Sequence, residues 1–73
     1  MPKAEISNQI KALRFQHGEV TQAQLAEYVG VTRQTIIALE SGKYVPSLGL
    51  ALKISRFFKE PVESVFKIEE NSG

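Results

Sequence analysis

The sequence predicts an all-α fold of four to five short helices around a central pair, with one short strand possible at the C-terminus. Three observations carry that expectation. The chain has 73 residues, room for one small domain. Helix-capping residues recur along it (Ser7, Thr21, Thr32, Ser47), with Gly18, Gly30 and Gly42 standing where the helices they open should close. Between these marks the apolar residues fall at helical spacing, and only Phe66–Glu69 alternates apolar with charged residues.

The first helix is expected from Ser7, its N-cap, to His17, with Gly18 just beyond. Its apolar stripe is Ile6, Ile10 and Leu13, and Arg14 shares that face. Thr21 and Gln24 read as a capping box for a second helix, Gln22–Val29, that buries Leu25, Ala26 and Val29. Gly30 ends it, Val31 plugs the turn, and Thr32 caps a third helix from Arg33 to about Ser41. Lys43–Pro46 reads as a loop, because the residue before a proline resists helix. Ser47 caps a fourth helix to Phe58. Pro61 suits the first turn of a short fifth helix to Val65. Phe66–Glu69 reads weakly as a strand. The expected organisation is an N-terminal arm (1–6), a helical domain (7–66) and an acidic strand or tail (67–73).

Composition narrows the function. Cysteine is absent, every acidic residue is Glu, and there is one histidine, His17. That inventory holds no Ser-His-Asp triad and no His- or Cys-rich metal site. No catalytic residue, metal or cofactor is expected, and His17 reads as a helix-end residue facing the C-terminal dipole. Gly42-Lys43 lacks the flanking residues of a phosphate-binding loop. No apolar run approaches about 20 residues and no signal peptide opens the chain, so the expectation is a soluble cytoplasmic protein without a membrane partner. Charge is uneven. Residues 1–59 carry eight basic and four acidic residues, whereas 60–73 carry one basic and four acidic. A basic body of this kind suits a polyanion at one surface, although the excess is ordinary for a domain.

The informative stretch is Thr21–Lys43, TQAQLAEYVGVTRQTIIALESGK. Two short helices joined by a tight turn with Gly30 form a helix-turn-helix. Ala26 is small where the helices cross, Gly30 can take a positive φ, and Val31 and Ile36 bury the turn. Together with Gly42–Leu48 and the following helix, this stretch resembles the XRE family, the lambda Cro and phage-repressor type of helix-turn-helix. It looks closest to the family's compact single-domain bacterial regulators. The resemblance spans roughly Asn8 to Phe66. It differs in a first-to-second helix spacing one residue wider, at Gly18–Thr21, and in apolar Ile37 and Ala38 at positions often polar.

The third helix divides at about 100° per residue. Ile36, Leu39 and Glu40 point inward; Gln34, Ile37, Ala38 and Ser41 point outward, with Arg33 at the edge. Such a face suits the major groove of double-stranded DNA, where Gln34 bonds adenine, Ile37 or Ala38 touches a thymine methyl, and Arg33 reaches guanine or a phosphate. The expected base-contacting set is Arg33, Gln34, Ile37 and Ala38. The expected phosphate set is Gln22, which matches the family's phosphate-clamping position, with Thr32, Thr35, Lys43, Tyr44 and Ser47. Tyr44 equally fits a packing role. The resemblance implies a transcriptional regulator, a repressor acting as a homodimer on a (pseudo)palindromic operator. The alternative is an antitoxin-like or adapter protein that uses the same fold for protein contacts.

Two packing expectations complete the reading. Arg14 and Glu40 each stand on an apolar face, so they should meet as a buried ion pair. On the fourth helix, Leu48, Ala51, Leu52, Ser55 and Phe58 occupy one arc, enough to close a core. Leu50, Ile54 and Phe57 occupy another, read as the seam of a homodimer. The C-terminal strand pairs either within that seam or with the N-terminal residues of its own chain.

Overall fold

A computed structural model describes residues 4–70 of the chain. Helices begin where a side-chain oxygen stands ready for the unpaired amides of a first turn. Thr21 Oγ1 accepts from the Gln24 amide at 3.0 Å and Gln24 Oε1 accepts from the Thr21 amide at 2.9 Å, so the capping box opens α2 (Gln22–Val29) as read. Thr32 Oγ1 accepts from the Thr35 amide to open α3 (Arg33–Glu40), and Ser47 Oγ accepts from the Leu50 amide to open α4 (Leu48–Phe58). Gly30 closes α2 at φ 81°, its amide bonded to the Ala26 carbonyl at 2.9 Å. A four-residue α5 (Val62–Val65) follows Pro61.

The beginning of the chain departs from the sequence reading. Ser7 is not an N-cap; it lies in a strand, β1 (Ala4–Asn8), paired antiparallel with β2 (Phe66–Glu70) in the register Ile6↔Ile68 and Ser7↔Lys67. The first helix, α1, runs only from Ile10 to Gln16, and its Gln9 cap makes no side-chain bond. Ser7 donates instead to Glu69 across the sheet at 3.0 Å. Asn8 sets the break between strand and helix: Oδ1 accepts from the Ile10 amide at 3.2 Å while Nδ2 donates to the Leu39 carbonyl at 2.7 Å. A ladder between residues about 60 apart in sequence thus outcompetes a local capping signal. The C-terminal strand pairs within its own chain.

The extra residue before α2 is absorbed by backbone. Gly18 and Glu19 take successive positive φ values of 89° and 58°, and the Val20 amide returns to the Arg14 carbonyl at 3.0 Å.

Every helix contributes to one core, built on Ile10, Leu13, Leu25, Ala26, Val29, Ile36, Leu39, Leu50, Ile54, Phe58 and Val65. This overturns the division of α4. Leu50 and Ile54 lie inside that core and Phe57 packs half-buried against it, edge-on to Tyr28 and Phe58, so none of the three is free to form a dimer seam. Of the five α4 residues assigned to the core, Ala51, Ser55 and Phe58 are buried, whereas Leu48 and Leu52 are exposed at 73% and 51%. The buried arc is centred between the two arcs read from sequence: it takes Leu50, Ile54 and Phe57 from one and Ala51, Ser55 and Phe58 from the other. Helix α4 therefore has one apolar face toward its own core, not two seams.

Candidate nucleic-acid interface

Helix α3 is fixed from behind by three inward residues. Ile36 and Leu39 are 0% and 1% exposed. Glu40 ends the inward face in an ion pair with Arg14: Nε donates to Oε2 at 2.6 Å and Nη2 to Oε1 at 3.0 Å, the two side chains being 9% and 10% exposed. The fork geometry is the bidentate pairing that a planar guanidinium makes best. Arg14 Nη1 also donates to the Val20 carbonyl at 2.9 Å, and Gln22 Nε2 donates to Glu40 Oε1 at 3.1 Å. The Arg14–Glu40 pair thus ties α1, the loop before α2, the start of α2 and the end of α3 together.

With that side held, the opposite side of α3 faces outward. Arg33 and Gln34 are exposed, Ile37 is 39% exposed, and Thr35 and Ala38 are half-buried. Thr32, Gln34, Thr35, Ala38 and Tyr44 line a shallow hollow of about 260 Å³ that carries no charged side chain. A second hollow, about 390 Å³, joins Arg33 to the opening turn of α2 through Thr21, Gln22 and Ala23. Lys43 is exposed next to Tyr44 in the chain, its amide bonded to the Ala38 carbonyl at 3.0 Å. The result is a ridge of readable side chains with a cation at either end and helix N-terminal amides beside it, the layout that reads base edges and holds phosphates.

The expected residues are not equally placed. Gln34, Ala38, Thr32, Thr35 and Tyr44 come together around the first hollow, and Arg33 and Gln22 around the second. The hydroxyls of Thr32 and Ser47 are engaged as helix caps, so their positions offer backbone amides as donors more than free side chains. Gln22 is tied to Glu40, and Thr35 Oγ1 shares a 3.0 Å hydrogen bond with Thr32 Oγ1. Tyr44 is 43% exposed and lines the hollow, which fits contact at the surface more than packing.

Sequence reasoning missed Phe15. It is 55% exposed, lies under the Arg14 guanidinium at 5.7 Å from the ring centroid, and lines the hollow at the start of α2. The available signal was an aromatic residue one position off the apolar stripe of the first helix. Among the described residues no group of three or more His or Glu side chains could hold a metal, and no helix is long and apolar enough to cross a membrane. His17 Nδ1 lies 2.9 Å from the Leu13 carbonyl at the end of α1, and its ring meets Phe58 edge-on.

Comparison with known proteins places this geometry among relatives. Residues 10–65 match the family model described as helix-turn-helix. The chain is 51% identical over 67 residues to an uncharacterized HTH-type transcriptional regulator of Bacillus subtilis, covering 92% of this chain and 100% of that one. It is 48% identical over 66 residues to another of the same description from Methanocaldococcus jannaschii, covering 90% and 98%. Among solved structures, it resembles a proposed DNA-binding protein from Bacteroides fragilis at TM-score 0.75 and 26% identity, covering 85% of this chain and 98% of that one.

Proposed function

The chain belongs to the helix-turn-helix family, and from that premise we propose that it is a sequence-specific transcriptional regulator binding double-stranded DNA through α3. The observation that carries the reading is the outward face of α3, with Arg33, Gln34, Ile37 and Ala38 presented on a helix whose other side is locked by Ile36, Leu39 and the Arg14–Glu40 fork. A recognition element must hold its side chains in register with base edges, and a helix fixed from behind does so at little entropic cost. Gln34 is the residue for a bidentate adenine contact and Arg33 for guanine or a flanking phosphate, while Ile37 and Ala38 offer surface to thymine methyls. Lys43, Tyr44, Thr35 and the opening amides of α2 and α4 supply the sequence-independent phosphate contacts.

The protein acts as a homodimer on a (pseudo)palindromic operator, with two α3 helices in successive major grooves about 34 Å apart. Occupancy of a promoter-proximal operator blocks transcription without any further surface, so repression is the simplest output. The chemistry is binding, not catalysis, and it runs inside the cell where the DNA is.

Selection of bound DNA from a random pool tests this reading, followed by gel shifts across a salt series. The expected result is an enriched inverted repeat whose affinity falls steeply with salt. No enrichment and no binding at low salt would refute it in favour of an adapter that uses the fold for protein contacts.

A further inference from the structure

Helix α4 carries charges that the fold does not use. From Leu48 to Phe58 it has two cations, Lys53 and Arg56, and no acidic residue. Arg56 and Phe57 follow Lys53 by three and four positions, so the three share one side of the helix. That side meets the last turn of α2 in an open groove of about 470 Å³, lined by Tyr28, Val29, Gly30, Lys53, Arg56 and Phe57. Tyr28 and Phe57 form its aromatic wall, their ring centroids 4.5 Å apart and their planes at 63°. Phe57 packs edge-on against the fully buried Phe58 at 4.9 Å, which anchors the wall in the core. Tyr28 is nonetheless 71% exposed, and Lys53 and Arg56 are exposed beside it. Among the described residues the one ion pair is Arg14–Glu40 and no carboxylate lines the groove, so both of its cations stand uncompensated.

We propose that this groove docks an acidic segment of a partner protein, one aromatic side chain seated against Tyr28 and Phe57 and the flanking carboxylates on Lys53 and Arg56. Charge complementarity selects the occupant. The Arg56 guanidinium takes a carboxylate through two parallel hydrogen bonds, and Lys53 takes a second as a point charge. An aromatic ring entering between them adds a third member to the edge-to-face pair already in place. Tyrosine and arginine at one exposed patch are also the residue types that carry most interface energy. A phosphate backbone would use the two cations and leave the aromatic wall bare, so the groove fits protein better than nucleic acid. With Tyr28 open to solvent it does not enclose a ligand as small-molecule cavities do. Its place on the molecule leaves α3 free. Helix α2 faces the proposed DNA with its first residue, Gln22, and the groove with its last, Val29, about 10 Å further along the axis. Neither hollow beside α3 shares a residue with the groove. The chain can therefore hold DNA and the partner segment together.

A fluorescent peptide and a charge exchange test this on the full chain. The sequence has no tryptophan, so a capped pentapeptide of four glutamates around one tryptophan reports its own burial. On titration with the chain its emission should shift to the blue, and the amide resonances of Tyr28–Gly30 and Lys53–Phe57 should move together. Tyr28→Ala should weaken binding about fivefold, and Lys53→Glu/Arg56→Glu about tenfold or more. That double variant should bind instead the peptide of four lysines around one tryptophan, which a damaged fold would not do. No emission shift at the highest soluble peptide concentration would overturn the groove. So would equal binding by wild type and the double variant, or equal binding of a peptide with alanine in place of tryptophan. If Lys53→Glu/Arg56→Glu lowers affinity for duplex DNA as much as for the peptide, the cations serve phosphates and the proposal fails. A changed oligomeric state of that variant in sedimentation would give the face to a second copy, with the same consequence.

Discussion

The Arg14–Glu40 fork gives the sharpest test of how this fold is held. Replacing Arg14 with Met removes both bonds to Glu40 and the bond to the Val20 carbonyl, leaving a carboxylate only 10% exposed with Gln22 as its one remaining partner. Breaking a buried pair from one side costs about 3–5 kcal/mol, because the stranded charge keeps its desolvation penalty without its counter-ion. A 73-residue chain has about 4–11 kcal/mol of stability in total. The single variant should therefore lose about a quarter of that at the least, and in a marginal case all of it. Replacing both residues (Arg14→Met with Glu40→Leu) removes the charges together, frees Gln22 to turn to solvent, and should cost less than either single change. Urea denaturation followed by circular dichroism measures all four corners of the cycle. Additive single costs, or an Arg14→Met variant within about 1 kcal/mol of wild type, would show that the pair is solvated and that α3 is held by Ile36 and Leu39 alone.

Further outcomes follow from other parts of the molecule. On selected DNA, Gln34→Ala should cost about 1–3 kcal/mol at one base position and relax specificity there, whereas Lys43→Ala should weaken all sequences alike and reduce the salt slope by about one; gel shifts over base variants and salt separate the two. Gly30→Ala should cost about 1–2 kcal/mol by thermal denaturation through backbone strain alone, since φ is 81° and nothing lies within 4 Å of the added Cβ. Ile54→Glu should unfold the chain instead of merely dissociating a dimer, because Ile54 is 0% exposed; a folded monomer seen by circular dichroism and light scattering would contradict the core assignment.

The parts legible in the sequence are those decided within a few residues. Thr21, Thr32 and Ser47 each cap the helix that follows because the hydroxyl and the amide it satisfies are three positions apart, whatever the rest of the chain does. The turn at Gly30 is local in the same sense. Ser7 carries the same kind of signal and fails, because its competitor is β2, a segment the sequence shows only as a weak alternation. Helix α4 fails for a different reason. Angular spacing groups Leu50, Ile54 and Phe57 on one arc and Leu48, Ala51, Leu52, Ser55 and Phe58 on another, but the direction of the core is set by what the other helices leave open. The core lies across the boundary between the arcs, so residues from both are buried while Leu48 and Leu52 are left in solvent.

Glu40 joins these two kinds of legibility at the interface. Its inward orientation is written in the helical period of α3, since it shares a face with Ile36 and Leu39. Pairing with Arg14 followed from the cost of burying either charge alone. The bond from Gln22 was not readable, because Gln22 looked like a residue for the partner molecule. The structure gives that amide a partner within the chain, connecting the first residue of α2 to the last residue of α3 at 3.1 Å. On the proposed function, the residue offered for phosphate contact and the helix offered for base reading are joined by one hydrogen bond within the chain.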